Sequence, residues 1–111
     1  MRPLAELDLI VTIIPKGQSD KVVAASKRAG AEGGTILYGR GTGIHEHKKL
    51  FGLSIEPEKE IILTLVPEHK TDEILEAIVK AGQLDKPGTG VGFVLEARKI
   101  VGINHLIEAM R

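Results

Sequence analysis

Shifted against itself by 52 positions, the chain aligns without a gap, and this internal repeat limits what it can fold into. Residues 9–30 read LIVTIIPKGQSDKVVAASKRAG, and residues 61–82 read IILTLVPEHKTDEILEAIVKAG. Identities include Thr12/Thr64, Pro15/Pro67, Asp20/Asp72, Ala25/Ala77, Ala29/Ala81 and Gly30/Gly82. Pairs such as Leu9/Ile61, Ser19/Thr71, Val22/Ile74 and Val23/Leu75 keep their character. Each half opens on a β-branched apolar run, Leu9–Ile14 or Ile61–Val66, which reads as a strand closed by proline. Ser19-Asp20 and Thr71-Asp72 then offer a helix N-cap and an acid for the positive end of the helix dipole. Apolar residues follow at helical spacing, Val22, Val23, Ser26 and Ala29 against Ile74, Leu75, Ile78 and Ala81. Gly30 and Gly82 are expected to stop the helices as left-handed caps. Further strands, Thr35–Tyr38 and Val91–Ile100, complete the halves. The outcome is a single α+β domain over residues 1–111, a β-α-β-β-α-β sandwich of the ferredoxin-like type. The tail 104–110 has room for a final helical turn or two.

The strands also imply assembly. In this fold two helices cover one sheet face, so a monomer's strands alternate apolar and polar. Here Leu9, Val11 and Ile13 lie on one face and Ile10, Thr12 and Ile14 on the other, and 61–66 repeats the pattern. Both faces call for burial. At ~25 cal/mol per Å², several hundred Å² of apolar sheet amounts to roughly 10 kcal/mol gross. The expectation is a closed homo-oligomer with its open sheet faces turned inward.

Composition narrows the function. Fifteen basic and fifteen acidic residues cancel, which excludes the basic footprint of a nucleic-acid binder. With no cysteine there is neither a disulfide framework nor a thiolate metal site. The N-terminus meets acidic residues before any long apolar run, and no run approaches the roughly 20 residues that span a bilayer, so a cytoplasmic protein is expected. A catalytic set is also lacking: there is no G-x-S-x-G, no Walker G-x-x-x-x-G-K-[ST] and no Ser/His/Asp grouping, so an enzyme is not expected. Glu56, Glu58 and Glu60 read as an acidic run that keeps a turn solvated.

Two insertions break the symmetry of the repeat. Between helix two and the last strand lies Gly82-Gln83-Leu84-Asp85-Lys86-Pro87-Gly88-Thr89-Gly90. Successive amides in Gly88-Thr89-Gly90 can form a concave nest for an anion, phosphate above all. Lys86, Arg98 and Lys99 are cations within reach of it, although a glycine-rich turn alone accounts for the same residues. Between the halves runs a long segment from Gly39-Arg40-Gly41-Thr42-Gly43 to Lys59, more than a hairpin needs. Its His45-Glu46-His47 invites zinc or copper, yet two histidines fall short of a zinc ligand set, and solvated loop residues are the plainer reading.

The duplicated β-α-β, the long segment after Tyr38-Gly39-Arg40-Gly41 and the ending Gly88-Thr89-Gly90-Val91-Gly92-Phe93-Val94 together resemble the PII signalling superfamily over nearly the whole chain. That resemblance implies a non-enzymatic cytoplasmic homotrimer binding an adenine nucleotide (ADP, AMP or ATP) as effector, with no required cofactor. The nucleotide lies in the clefts between subunits. A T-loop, here about 40–57, engages a protein partner such as a membrane transporter or metabolic enzyme, and a B-loop, about 82–91, holds the phosphates. By position, Gly39, Arg40 and Gly41 match the T-loop base, and Gly88, Thr89 and Gly90 match the B-loop amides. Leu65 matches a contact near that base, and Gly34 and Thr35 match the neighbouring subunit's adenine side. Arg98 and Lys99 correspond only loosely to the family's basic residues. Three departures stand out: Gly41 replaces a glutamine used in 2-oxoglutarate sensing, the nucleotidylated T-loop tyrosine has no counterpart, and Val91 replaces a lysine beside the phosphates. Either Lys86 makes up that charge or the site takes ADP or AMP over ATP. The alternative is a trimer similar to the CutA-type divalent-cation proteins, with His45 and His47 as ligands.

Overall fold

The computed structural model describes residues 6–42, 48–50, 53–55 and 57–102. Strand β1 (Leu7–Pro15), helix α1 (Ser19–Arg28) and strand β2 (Thr35–Arg40) make the first half. Strand β5 (Glu58–Pro67), helix α2 (Thr71–Gly82) and strand β6 (Val91–Ala97) make the second. The four long strands form one antiparallel sheet in the order β2-β5-β1-β6, with β1 and β5 central. This is the ferredoxin-like arrangement that the repeat demanded. Inside the long segment two short strands, β3 (Lys48–Leu50) and β4 (Leu53–Ile55), pair as a hairpin that the sequence reading did not foresee.

Alternation along the central strands sorts their residues onto two faces. Ile10, Thr12 and Ile14 on β1 and Ile62, Thr64 and Val66 on β5 lie under the helices, each almost wholly buried. From above, Val22 on α1 and Ile74 and Ile78 on α2 complete the core. Among the described residues, the opposite face has no helix over it. Its rows run Leu95–Leu9–Leu65, Phe93–Val11–Leu63–Thr35 and Val91–Ile13–Ile61–Leu37 across the sheet. Val91 and Leu95 are each 50% exposed, and Leu37 and Phe93 nearly as much. Among the described residues this apolar face is open along its edge strands, while Val11 at its centre is buried.

Several boundaries differ from the expectation. Ser19 and Thr71 are the first helical residues rather than N-caps; Gln18 and Lys70 hold the cap positions, and neither caps with its side chain. Helix α2 is preceded by a 3-10 turn, Glu68–Lys70. Gly30 carries the positive φ (119°) after α1, as expected. Gly82, however, remains helical, and the left-handed residue closing α2 is Gln83, at φ 54° and ψ 42°. Strand β6 ends at Ala97, so Arg98 and Lys99 lie beyond it. The tail 104–110 and His45 and His47 fall outside the described residues.

Candidate functional site

The glycine loop is a folded unit whose geometry begins in α2. Left-handed Gln83 turns the chain, Leu84 N–H donates to the Val79 carbonyl at 3.0 Å, and Lys86 N–H donates to the Gln83 carbonyl at 2.9 Å. Thr89 Oγ1 lies 2.8 Å from both the Gln83 and Lys86 carbonyls, and its single proton serves one at a time. The hydroxyl therefore ties the loop together.

Most of the glycines serve packing. The side chain of Leu84 turns back onto the core, and a Cβ at Gly82, Gly90 or Gly92 would lie 3.2–3.4 Å from it. At Gly90 (φ 136°) a Cβ would also stand 2.3 Å from the Ile13 carbonyl oxygen, so no other residue fits. Gly88 is different: φ is 77°, and its surroundings are open. The amides of Gly88 and Thr89 take no part in the turn hydrogen bonds that fold the loop, among the described residues. What remains of the anion nest is centred there.

At the same end of the sheet, the base of the long segment is clamped to the β1–α1 turn. Gly41 N–H donates to the Pro57 carbonyl (3.1 Å) and Lys16 N–H to the Glu58 carbonyl (3.3 Å). The exposed Lys16 ammonium meets Glu58 at 2.7 Å. Their hydrogen bond raises the Lys16 pKa and lowers that of Glu58, with the Arg40 charge acting on Glu58 in the same direction. Glu60 departs from the solvated role expected of it. It is 5% exposed, and its Oε1 accepts the N–H groups of Gly17 (2.7 Å), Gln18 and Ser19 (both 3.0 Å). Its Oε2 accepts the Ser19 hydroxyl at 3.0 Å. Burial pushes this carboxyl up, but the bonds from Ser19, Gly17 and Gln18 outweigh it and hold Glu60 below the ordinary carboxylate value.

The α1 N-terminus is thus a filled anion nest, capped from β5. The other half answers with Asp8 on β1, whose Oδ2 accepts the Thr71 hydroxyl at 2.7 Å. The signal was present in the sequence: the shift that pairs Ser19 with Thr71 also pairs Asp8 with Glu60.

The residues singled out from the sequence do not converge within one chain. Gly39, Arg40 and Gly41 leave edge strand β2, while Lys86, Gly88, Thr89 and Gly90 lie beside the opposite edge, β6. Three strand spacings of ~4.8 Å put about 14 Å between them. Leu65, paired with Leu9, lies on the open face; Gly90, next to Val91, falls opposite Ile14. The five residue steps from Leu9 to Ile14 on β1 separate Leu65 from Gly90 by about 17 Å along the sheet. Thr35 begins β2 with Gly34 just before it, and Arg98 and Lys99 lie past the far end of β6. That far end also gathers Glu6, Asp8, Glu68 and Glu96. A hydrogen bond with Glu6, reinforced by the Glu6 charge, holds Glu68 above its ordinary value. No group of three or more metal-ligating side chains occurs among the described residues.

Fold and loops place the chain among duplicated ferredoxin-like proteins with a glycine loop before the last strand. It belongs to the nitrogen regulatory protein P-II family, whose profile matches residues 7–105. No curated protein sequence gives a significant match. Among solved structures, B. subtilis GlnK in complex with ATP superposes with a TM-score of 0.70 at 19% identity, covering 89% of this chain and 88% of that one. Among the described residues, no helix is long and apolar enough to cross a membrane.

Proposed function

We propose that the chain is a PII-type signalling protein without catalytic activity, acting as a homotrimer with an adenine nucleotide bound between copies. In this reading residues 82–91 hold the phosphates as a B-loop. Residues 40–57 act as a T-loop that engages a protein partner, a transporter or metabolic enzyme. Nucleotide controls the partner by favouring one loop state through its difference in affinity between states. Family membership supports this, as does the ATP in the GlnK complex.

The observation that carries the reading is the separation of the candidate residues on either side of an open apolar sheet. A second copy packed on that face would bury Leu37, Val91, Phe93 and Leu95 and would bring its own far-end residues toward this chain's glycine loop. Sedimentation and calorimetry with AMP, ADP and ATP test it. The expected result is a trimer that binds at least one of them. A stable 12 kDa monomer at micromolar concentration, or no heat with any nucleotide, would refute it.

A further inference from the structure

Gln83 is the one non-glycine residue with positive φ among the described residues. A side chain at φ 54° crowds the backbone, and glycine would relieve that crowding. The chain does place a glycine next to this position, but Gly82 is used to admit Leu84, whose side chain lies 3.3 Å from where a Cβ would sit. A strained residue held in place by its surroundings points to a use for its side chain.

The position suggests which use. The Gln83 carbonyl accepts Lys86 N–H and lies within reach of the Thr89 hydroxyl, so the residue stands at the root of the Gly88–Thr89 nest. Gln83 is exposed, and its carboxamide has no hydrogen-bond partner among the described residues. Asp85 and Lys86, the charged residues of loop 82–91, leave it without net charge, so neutral donors have to add to whatever Lys86 supplies to an anion. Backbone amides are one kind of neutral donor and a carboxamide Nε2 is another, whereas the Thr89 hydroxyl is engaged by carbonyls within the loop.

We infer that Gln83 is a ligand-contacting residue of the glycine loop, donating from Nε2 to a phosphate oxygen of the bound nucleotide. This rests on the nucleotide reading above. The test is ADP affinity and thermal midpoint for wild type, Gln83→Ala, Gln83→Gly and Gln83→Glu, at low and high salt. Alanine keeps the left-handed crowding and glycine removes it, so Gln83→Gly is expected to melt higher than Gln83→Ala. Both lose the donor, and each is expected to bind ADP about threefold to tenfold more weakly than wild type. Gln83→Glu is expected to bind more weakly still at low salt, with added salt narrowing its gap from Gln83→Ala.

Wild-type affinity in either the alanine or the glycine variant overturns the inference. Glutamate binding no worse than alanine overturns its assignment to phosphate. If wild type itself takes up no nucleotide, the functional reading fails first and this inference fails with it.

Discussion

Replacing Glu60 by glutamine changes one charge and almost no volume, and the structure states what is lost. Three backbone N–H groups and one hydroxyl converge on this buried carboxylate. Glutamine keeps one acceptor oxygen and turns the other into an NH₂ facing the Ser19 hydroxyl. Hydrogen bonds to a charged group are worth about 1.5–3 kcal/mol against 0.5–1.5 for neutral ones. An anion at a partly buried helix N-terminus adds up to ~2 kcal/mol. Against this, burying a neutral amide costs less than burying a charge. The net expectation is a loss of about 1–3 kcal/mol at pH 7, a fall in melting midpoint of at least several degrees for a domain this size.

The pH dependence separates this cause from simple misfit. Folding lowers the Glu60 pKa below its ordinary 4.5, so its contribution is complete above that value and is lost as pH falls through the lower, folded-state pKa. Denaturant melts of wild type and Glu60→Gln, at one protein concentration and at pH steps from 7 down to 3, are the assay. The two stabilities should differ most at pH 7 and approach each other below pH 4.5, because only wild type has this charge to lose. Equal stability at pH 7, or a constant gap down to pH 3, would show that the carboxylate does not hold α1.

Other consequences are equally direct. Thr12 and Thr64 bury hydroxyls that find no partner among the described residues, so Thr12→Val and Thr64→Val should each stabilise the fold by about 1 kcal/mol in denaturant melts. A loss of stability in both would mean those hydroxyls are satisfied. Gly88→Ala should cost only about 1–2 kcal/mol for its left-handed backbone, whereas Gly90→Ala should cost well above 3 kcal/mol or prevent folding, since its Cβ meets the Ile13 carbonyl; similar midpoints for the two would refute that contact. Phe93→Glu, on the open face, should leave the helix-covered core intact by circular dichroism while shifting sedimentation toward monomer; an unchanged oligomer would show that the open face is not the contact.

Much of this was legible because the repeat states it twice. A strand ended by proline and a helix entered through a hydroxyl-acid pair survive comparison of the halves, so chance patterning in one half is corrected by the other. The lack of alternation in 9–14 and 61–66 foretold the open face for the same reason: burial pattern is a local property. The glycine loop was legible as glycine-rich but not in its division of labour. Only the fold brings Leu84 against Gly82, Gly90 and Gly92, and only backbone angles separate a glycine kept for space from one kept for conformation. Hence Gly90, read as a phosphate ligand, has a sufficient packing reason, while Gln83, to which the sequence reading assigned no role, carries the strain.

Glu60 shows the opposite limit. Its neighbours Glu56 and Glu58 made it look like part of a solvated run, yet Glu60 pairs with Ile14 under the helices, while Glu58, on the same strand face but at the very start of β5, stays exposed with Lys16. The clasp is exchanged between the halves: Glu60 of the second holds the helix of the first, and Asp8 of the first holds Thr71 of the second. Each half-unit thereby leaves the start of its own helix dependent on the other, which an isolated β-α-β copy could not satisfy. The exchange is unequal, four bonds against one, and the stronger side adjoins the point where the long segment returns to the sheet at Pro57 and Glu58. Whatever that segment contacts, its return point is anchored through Glu60 to α1, so strain applied there is resisted by a helix and not by a loop.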